Sequence, residues 1–182
     1  MSAQNHHIVK VVPYSSKWSL EFEKEKNRLL EILNPHIVAI EHIGSTSIPN
    51  QEAKPIIDMF AGVQKLLHEQ VYADLLGHSG YRYVETGMTE RHFFVKEFAG
   101  LRTHHLHIMS IEGFHERNEL LFRDYLCHHP HLIKEYGELK RALAEQYHSD
   151  NEGYTKAKTA FIQHVVDLAR AERGLPLQKV WE

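Results

Sequence analysis

"IEHIGSTSIPNQEAKPIIDMF", residues 40–60, places a hydroxyl-rich turn between two β-branched runs. The flanking segments "HIVAIEHIG" (36–44) and "KPIIDMFAGV" (54–63) predict two strands. Between them, residues 47–53 form a short turn or a single helical turn. Gly44, Ser45, Thr46 and Ser47 offer a backbone free to approach an anion, hydroxyls, and N–H groups aimed at a phosphate. The same residues also suit a turn whose side chains bond their own backbone. In the second strand, alternation sets Asp58 with Ile56 and Phe60, and turns Ile57, Met59 and Ala61 the other way. A lone carboxylate among apolar neighbours needs hydrogen-bond donors, a cation or a metal. Both a ligand site and a carboxylate satisfied by backbone N–H groups answer that need.

Outward from this stretch, Ser15 or Ser16 caps a helix carrying Trp18, Phe22, Leu29 and Leu33, which Asn34-Pro35 stops. "VQKLLHEQVYADLLGHSG" (63–80) predicts a helix with Leu66, Leu67, Val71, Leu75 and Leu76 on one face. "YRYVE" (81–85) is a short strand, and "ERHFFVKEF" (90–98) with "LRTHHLHIMSI" (101–111) form a hairpin about Ala99-Gly100. The order is α-β-β-α-β-β-β. From Phe114 onward the pattern is helical, and the last helix opens with a capping box of Ser149 and Glu152. The fold class is α+β: a mixed β-sheet with helices on one face and a C-terminal helical segment. Residues 1–112 make the core and residues 113–182 pack on it as one unit. Whether the C-terminal helices form a lid or a homodimer contact stays open.

Composition narrows the function classes. The 182-residue chain has a net charge of −3, so nothing promotes bulk capture of nucleic acid by a basic face. No apolar run is long enough to span a bilayer, and "MSAQNHHIVKVV" lacks the parts of a secretory signal, so a cytoplasmic protein with no membrane partner is expected. Cys127 is the single cysteine, so an intrachain disulfide and a multi-cysteine zinc site are excluded. Any metal must come from His, Asp or Glu.

In "LRTHHLHIM" (101–109), His105 and His107 project from one strand face while His104 points away. Two same-face imidazoles supply half a metal site, and Asp58 on an adjacent strand would supply a third ligand. They suit a hydrogen-bonded cleft lining equally well. Lys54, Arg91, Lys96, Arg102 and Arg123 are the basic residues suited to phosphate, although Asp124 beside Arg123 invites a local ion pair. Tyr136 with Lys140 and Tyr154 with Lys158 repeat one spacing, a Tyr and a Lys one helical turn later. Each pair presents a hydroxyl and an ammonium to a ligand, or is core Tyr with a snorkelling Lys.

Taken together, "EHIGSTSIP", "KPIID", "RHFFVK", "HHLHI", "FRDYL", "EYGELK" and "YTKAK" resemble the GrpB family, mostly bacterial proteins, some fused to dephospho-CoA kinase. The resemblance runs from about Val11 to about Ala169. GrpB proteins are in turn similar to the nucleotidyltransferase superfamily, which implies a nucleotidyltransferase-like sheet. There a Gly-Ser step, matched by Gly44 and Ser45, holds phosphates, and alternate carboxylates bind magnesium. Asp58 matches the first carboxylate, but Phe60 stands at the second. The resemblance implies binding of a nucleotide or related phosphate ligand and transfer of a nucleotidyl group to a small acceptor. Gly44, Ser45 and Ser47 would hold phosphates, with Thr46 adding a hydroxyl. Asp58 would act as catalytic or metal-holding carboxylate, and Lys54, Arg91, Arg123, Lys140 and Lys158 would neutralise charge. An Asp58, His105 and His107 set would take zinc, manganese or iron rather than paired magnesium. The alternatives are a non-catalytic module for a nucleotide or coenzyme A precursor, and a mononuclear metal-dependent phosphoester hydrolase.

Overall fold

Strands Ile37–Ile43 (β1) and Ile57–Val63 (β2) run antiparallel, with Ile43 opposite Asp58, so the quoted stretch is strand, turn, strand. The computed structural model describes residues 8–180. Arg91–Phe98 (β4) and Leu101–Ser110 (β5) form a hairpin through Ala99 and Gly100, whose φ values of 50° and 78° supply the tight reversal. Tyr81–Val84 (β3) pairs with β4, and β5 lies parallel to β2. The five-stranded mixed sheet has the order β1-β2-β5-β4-β3. Asp58 faces His105 across the parallel seam, and Phe60 faces His107.

The two sheet faces are covered differently. Ile57, Met59, Ala61, Leu106 and Ile108 meet Trp18, Phe22 and Leu29 of Lys17–Ile32 (α1) and Tyr72 and Leu76 of Glu69–Leu76 (α2). Ile43, Phe60 and Met109 on the opposite face pack on Phe114 and on Leu120 of Asn118–His128 (α3). Pro130–Gln146 (α4), Asn151–Ala157 (α5) and Thr159–Glu172 (α6) complete the chain's helical half. Phe122, Leu126, Tyr136, Val165 and Val166 form its core. Ile48, just after the turn, is fully buried in that cluster, so the β1–β2 connection is anchored among the C-terminal helices. Among the described residues no helix is long and apolar enough to cross a membrane.

Two local expectations are revised. α2 begins only at Glu69, where the His68 ring accepts from the Gln70 N–H; Leu66 and Leu67 precede it. Its buried face is Tyr72 and Leu76, while Val71 and Leu75 are 37% and 38% exposed. The Tyr72 hydroxyl, bonded to the Leu67 N–H, sets that rotation. The capping residue before α5 is Asp150, which accepts from the Gly153 N–H at 2.8 Å in place of the Ser149 box, and Lys158 separates α5 from α6. At the first helix, Ser16 holds the cap position without a side-chain bond, and Ser15 Oγ accepts from the Lys17 N–H.

Candidate functional site

Gly44 has φ 69° and ψ −177°, a conformation open almost only to glycine. A Cβ there would stand 2.5 Å from Asp58 Oδ2, so Gly44 lets the carboxylate lie directly against the turn. Ser45–Ser47 form one 3-10 turn. Ser47 Oγ donates to the Gly44 carbonyl at 2.6 Å, and Thr46 Oγ1 donates to the Ile56 carbonyl at 3.0 Å. Thr46 is buried and also bonds His42 Nε2. These two hydroxyls brace the turn, which leaves Ser45 to meet what lies beyond it. Asp58 Oδ1 bonds His105 Nδ1 at 2.8 Å. Because a carboxylate only accepts, Nδ1 donates this bond, and Nε2 is buried without a partner among the described residues.

Three lysines converge on this turn from distant parts of the chain. Lys54 precedes β2, Lys140 lies in α4, and Lys158 sits between α5 and α6. The Lys54 and Lys158 ammoniums stand 4.5 and 4.4 Å from the centroid of one ring, Tyr154, and Lys140 is 4.4 Å from Tyr136. Lys54 also donates to Asn151 Oδ1 at 2.7 Å. Among the described residues none of the three forms an ion pair with a carboxylate. Burial and the charge of Lys54 lower Lys158 to about 8, with Asp58 pulling the other way. Burial, then Lys158, lowers Lys140 to about 6. Lys54 is lowered by burial as well, against the pull of Asp58. The arrangement is a cluster of lysines whose charges repel one another, with Asp58 acting on Lys54 and Lys158 and Glu52 on Lys140.

A family profile described as GrpB protein matches residues 8–168. The chain belongs to the GrpB family. Glutamate-rich protein GrpB of Alkalihalophilus pseudofirmus is 34% identical over 172 residues, covering 92% of this chain and 99% of the relative. UPF0157 protein YqkA of Bacillus subtilis is 39% identical over 163 residues, 89% of this chain, which spans 47% of YqkA's length. The crystal structure of conserved protein GrpB from Enterococcus faecalis superposes with a TM-score of 0.83 at 34% identity, over 91% of this chain and 99% of that one.

Within this GrpB chain, other candidate residues lie elsewhere. Arg123 donates to Glu41 Oε2 at 2.8 Å, the His42 carbonyl at 2.7 Å and Asp124, clamping α3 to β1. Arg91 pairs with Glu119 at 2.7 Å and lies over Phe60. His107 is stacked on Phe93 and edge-on to Phe60, and burial pushes its proton affinity well down. Asp58, His105 and His107 therefore do not converge as ligands: Asp58 bonds His105, and Phe60 takes the register position beside His107. Among the described residues no three His, Cys, Asp or Glu side chains are gathered for a metal ion. Lys96 pairs with Glu25 on the other sheet face at 2.7 Å, and Arg102 lies 3.8 Å from Glu97.

Sequence reasoning missed His42, Asn151 and Glu52. His42 is buried against Phe22, and burial lowers it to about 4, so it is a neutral brace for Thr46. Strand alternation in "IEHIG" carried a signal for His42, which shares a face with Ile40. Nothing local marks the Glu52 carbonyl as a partner of Lys140.

Proposed function

We propose that this GrpB chain binds a phosphate-bearing small molecule, a nucleotide or coenzyme A precursor, in the cleft between the Gly44–Ser47 turn and Lys54 and Lys158. The observation that carries this reading is the pair of ammoniums on the single Tyr154 ring, with no carboxylate among the described residues ion-paired to either. Like charges held together are costly, and a bound dianion relieves that cost through charge-assisted hydrogen bonds. Lys140 lies deeper, 2% exposed, and reaches the cleft through Ser45. The nucleotidyltransferase-like character of the sheet belongs to this proposal and is supported by the Gly44-Ser45 step lying against Asp58. A cytoplasmic setting belongs to it too, supported by the single cysteine.

A binding role is favoured over two-metal nucleotidyl transfer by one residue. Phe60, fully buried among Phe114, Met109 and His107, occupies the place of a second carboxylate. A magnesium pair needs several anionic oxygens, and the residues here supply one carboxylate already bonded to an imidazole.

Calorimetric titration with ATP, AMP, pyrophosphate and 4′-phosphopantetheine tests the reading. At least one should bind the wild type, and Lys54→Met and Lys158→Met should each weaken it by about tenfold or more. Binding of none of the four, or equal binding by both variants, would reject the site.

A further inference from the structure

Ser45 and Lys140 form a contact that anion binding does not require. Lys140 Nζ lies 3.0 Å from Ser45 Oγ and donates to the Glu52 carbonyl. That carbonyl can only accept, so it fixes one amine proton and aims the rest of the nitrogen. The Tyr136 ring covers another side, its centroid 4.4 Å from Nζ. Ser45 is the first residue of the turn and is only partly buried, whereas Lys140 is sealed behind it. A buried amine, with no carboxylate partner among the described residues and directed at an accessible hydroxyl, is the arrangement of an activated nucleophile.

We propose that Ser45 is a nucleophile and Lys140 its proton acceptor, a pair that attacks the phosphoryl group of a ligand held by Lys54 and Lys158. The choice of a phosphoryl substrate rests on the binding site proposed above. In the step, the Ser45 Oγ–H proton passes to the Nζ lone pair and an Oγ–P bond forms. The bond from phosphorus to the leaving oxygen breaks, and that oxygen departs with the bonding pair as phosphate or pyrophosphate. The new Lys140 ammonium then stands beside the phosphoryl group, where its charge opposes the added negative charge. At neutral pH burial and the neighbouring Lys158 ammonium keep the Lys140 amine unprotonated.

An alkyl fluorophosphonate tests the pair whatever the natural substrate is: Oγ–P forms, P–F breaks, fluoride leaves and Lys140 takes the proton. The full chain is incubated with the reagent, and adducts are read by intact mass and peptide mapping. A single adduct on Ser45, lost in Ser45→Ala and in Lys140→Met, is expected. No adduct on the wild type, or one formed equally fast in a folded Lys140→Met, would overturn the proposal.

Should Lys140→Met fail to fold, the wild-type pH profile decides. The groups facing Lys140 are Ser45, Tyr136 and Glu52, with Lys158 acting through its charge. The labelling rate should rise about tenfold per pH unit below a midpoint near Lys140's value of about 6, then level off. A flat profile would overturn Lys140 as the base. Titration of the same sample with pyrophosphate and nucleotides separates the two proposals. Binding without labelling rejects the nucleophile alone, and labelling without binding rejects the phosphate reading alone.

Discussion

Gly44 bears two constraints at once, an extended backbone with positive φ and a carboxylate where a side chain would begin. Gly44→Ala should destabilise the chain by about 1–3 kcal/mol, read as a lower urea midpoint with unchanged slope. It should also part Asp58 from the turn and weaken phosphate-ligand binding. Lys158 carries a second residue-scale prediction. Its value of about 8 lies below that of a free lysine because of burial and Lys54, and a bound dianion raises it again. Between pH 7.5 and 9 ligand binding should therefore take up protons. Calorimetry in buffers of different ionisation enthalpy measures the uptake, which should fall in Lys158→Met.

At the scale of elements, the 3-10 turn is held from both sides, by Thr46 on Ile56 and by Ile48 among the C-terminal helices. Arg123 makes the neighbouring tie between α3 and β1. Arg123→Ala should cost about 2 kcal/mol, since it removes bonds to two carboxylates and a carbonyl, yet leave ligand affinity unchanged. A loss of affinity matching that of Lys158→Met would place Arg123 in the cleft after all. The strands are legible in the sequence because alternation is a strong local signal: it groups Asp58 with Phe60 and His105 with His107, while the pairing that sets Asp58 opposite His105 appears only in the sheet. The three-lysine cluster is not, because Lys54, Lys140 and Lys158 meet only through tertiary packing. The repeated Tyr-Lys spacing suits a snorkelling pair as well as a site. The Tyr72 face of α2 is hidden for a related reason: Tyr72 is amphipathic, so the leucines outweigh it in the pattern.

For the molecule as a whole, the buried lysines tie stability to pH. The folded values of Lys140 and Lys158, about 6 and about 8, lie below the unfolded value of 10.5. Between those limits the unfolded chain binds protons that the folded chain does not, so stability rises with pH. Resistance to urea should thus increase from pH 6 to pH 9, and Lys140→Met should flatten that rise; a steeper rise in the variant would contradict the assignment.

The parallel seam between β2 and β5 has a kinetic consequence. β1 with β2, and β3 with β4 and β5, are each closed by antiparallel pairing of strands near in sequence, whereas β2 and β5 are joined only through everything between them. Closing that seam carries the largest loop entropy in the sheet and belongs late in folding. Asp58 and His105 meet across it, so neither half of the sheet owns the pair. A chain still searching for its native state has nothing in this place, and the contact between Asp58 and His105 marks the final docking of the two halves.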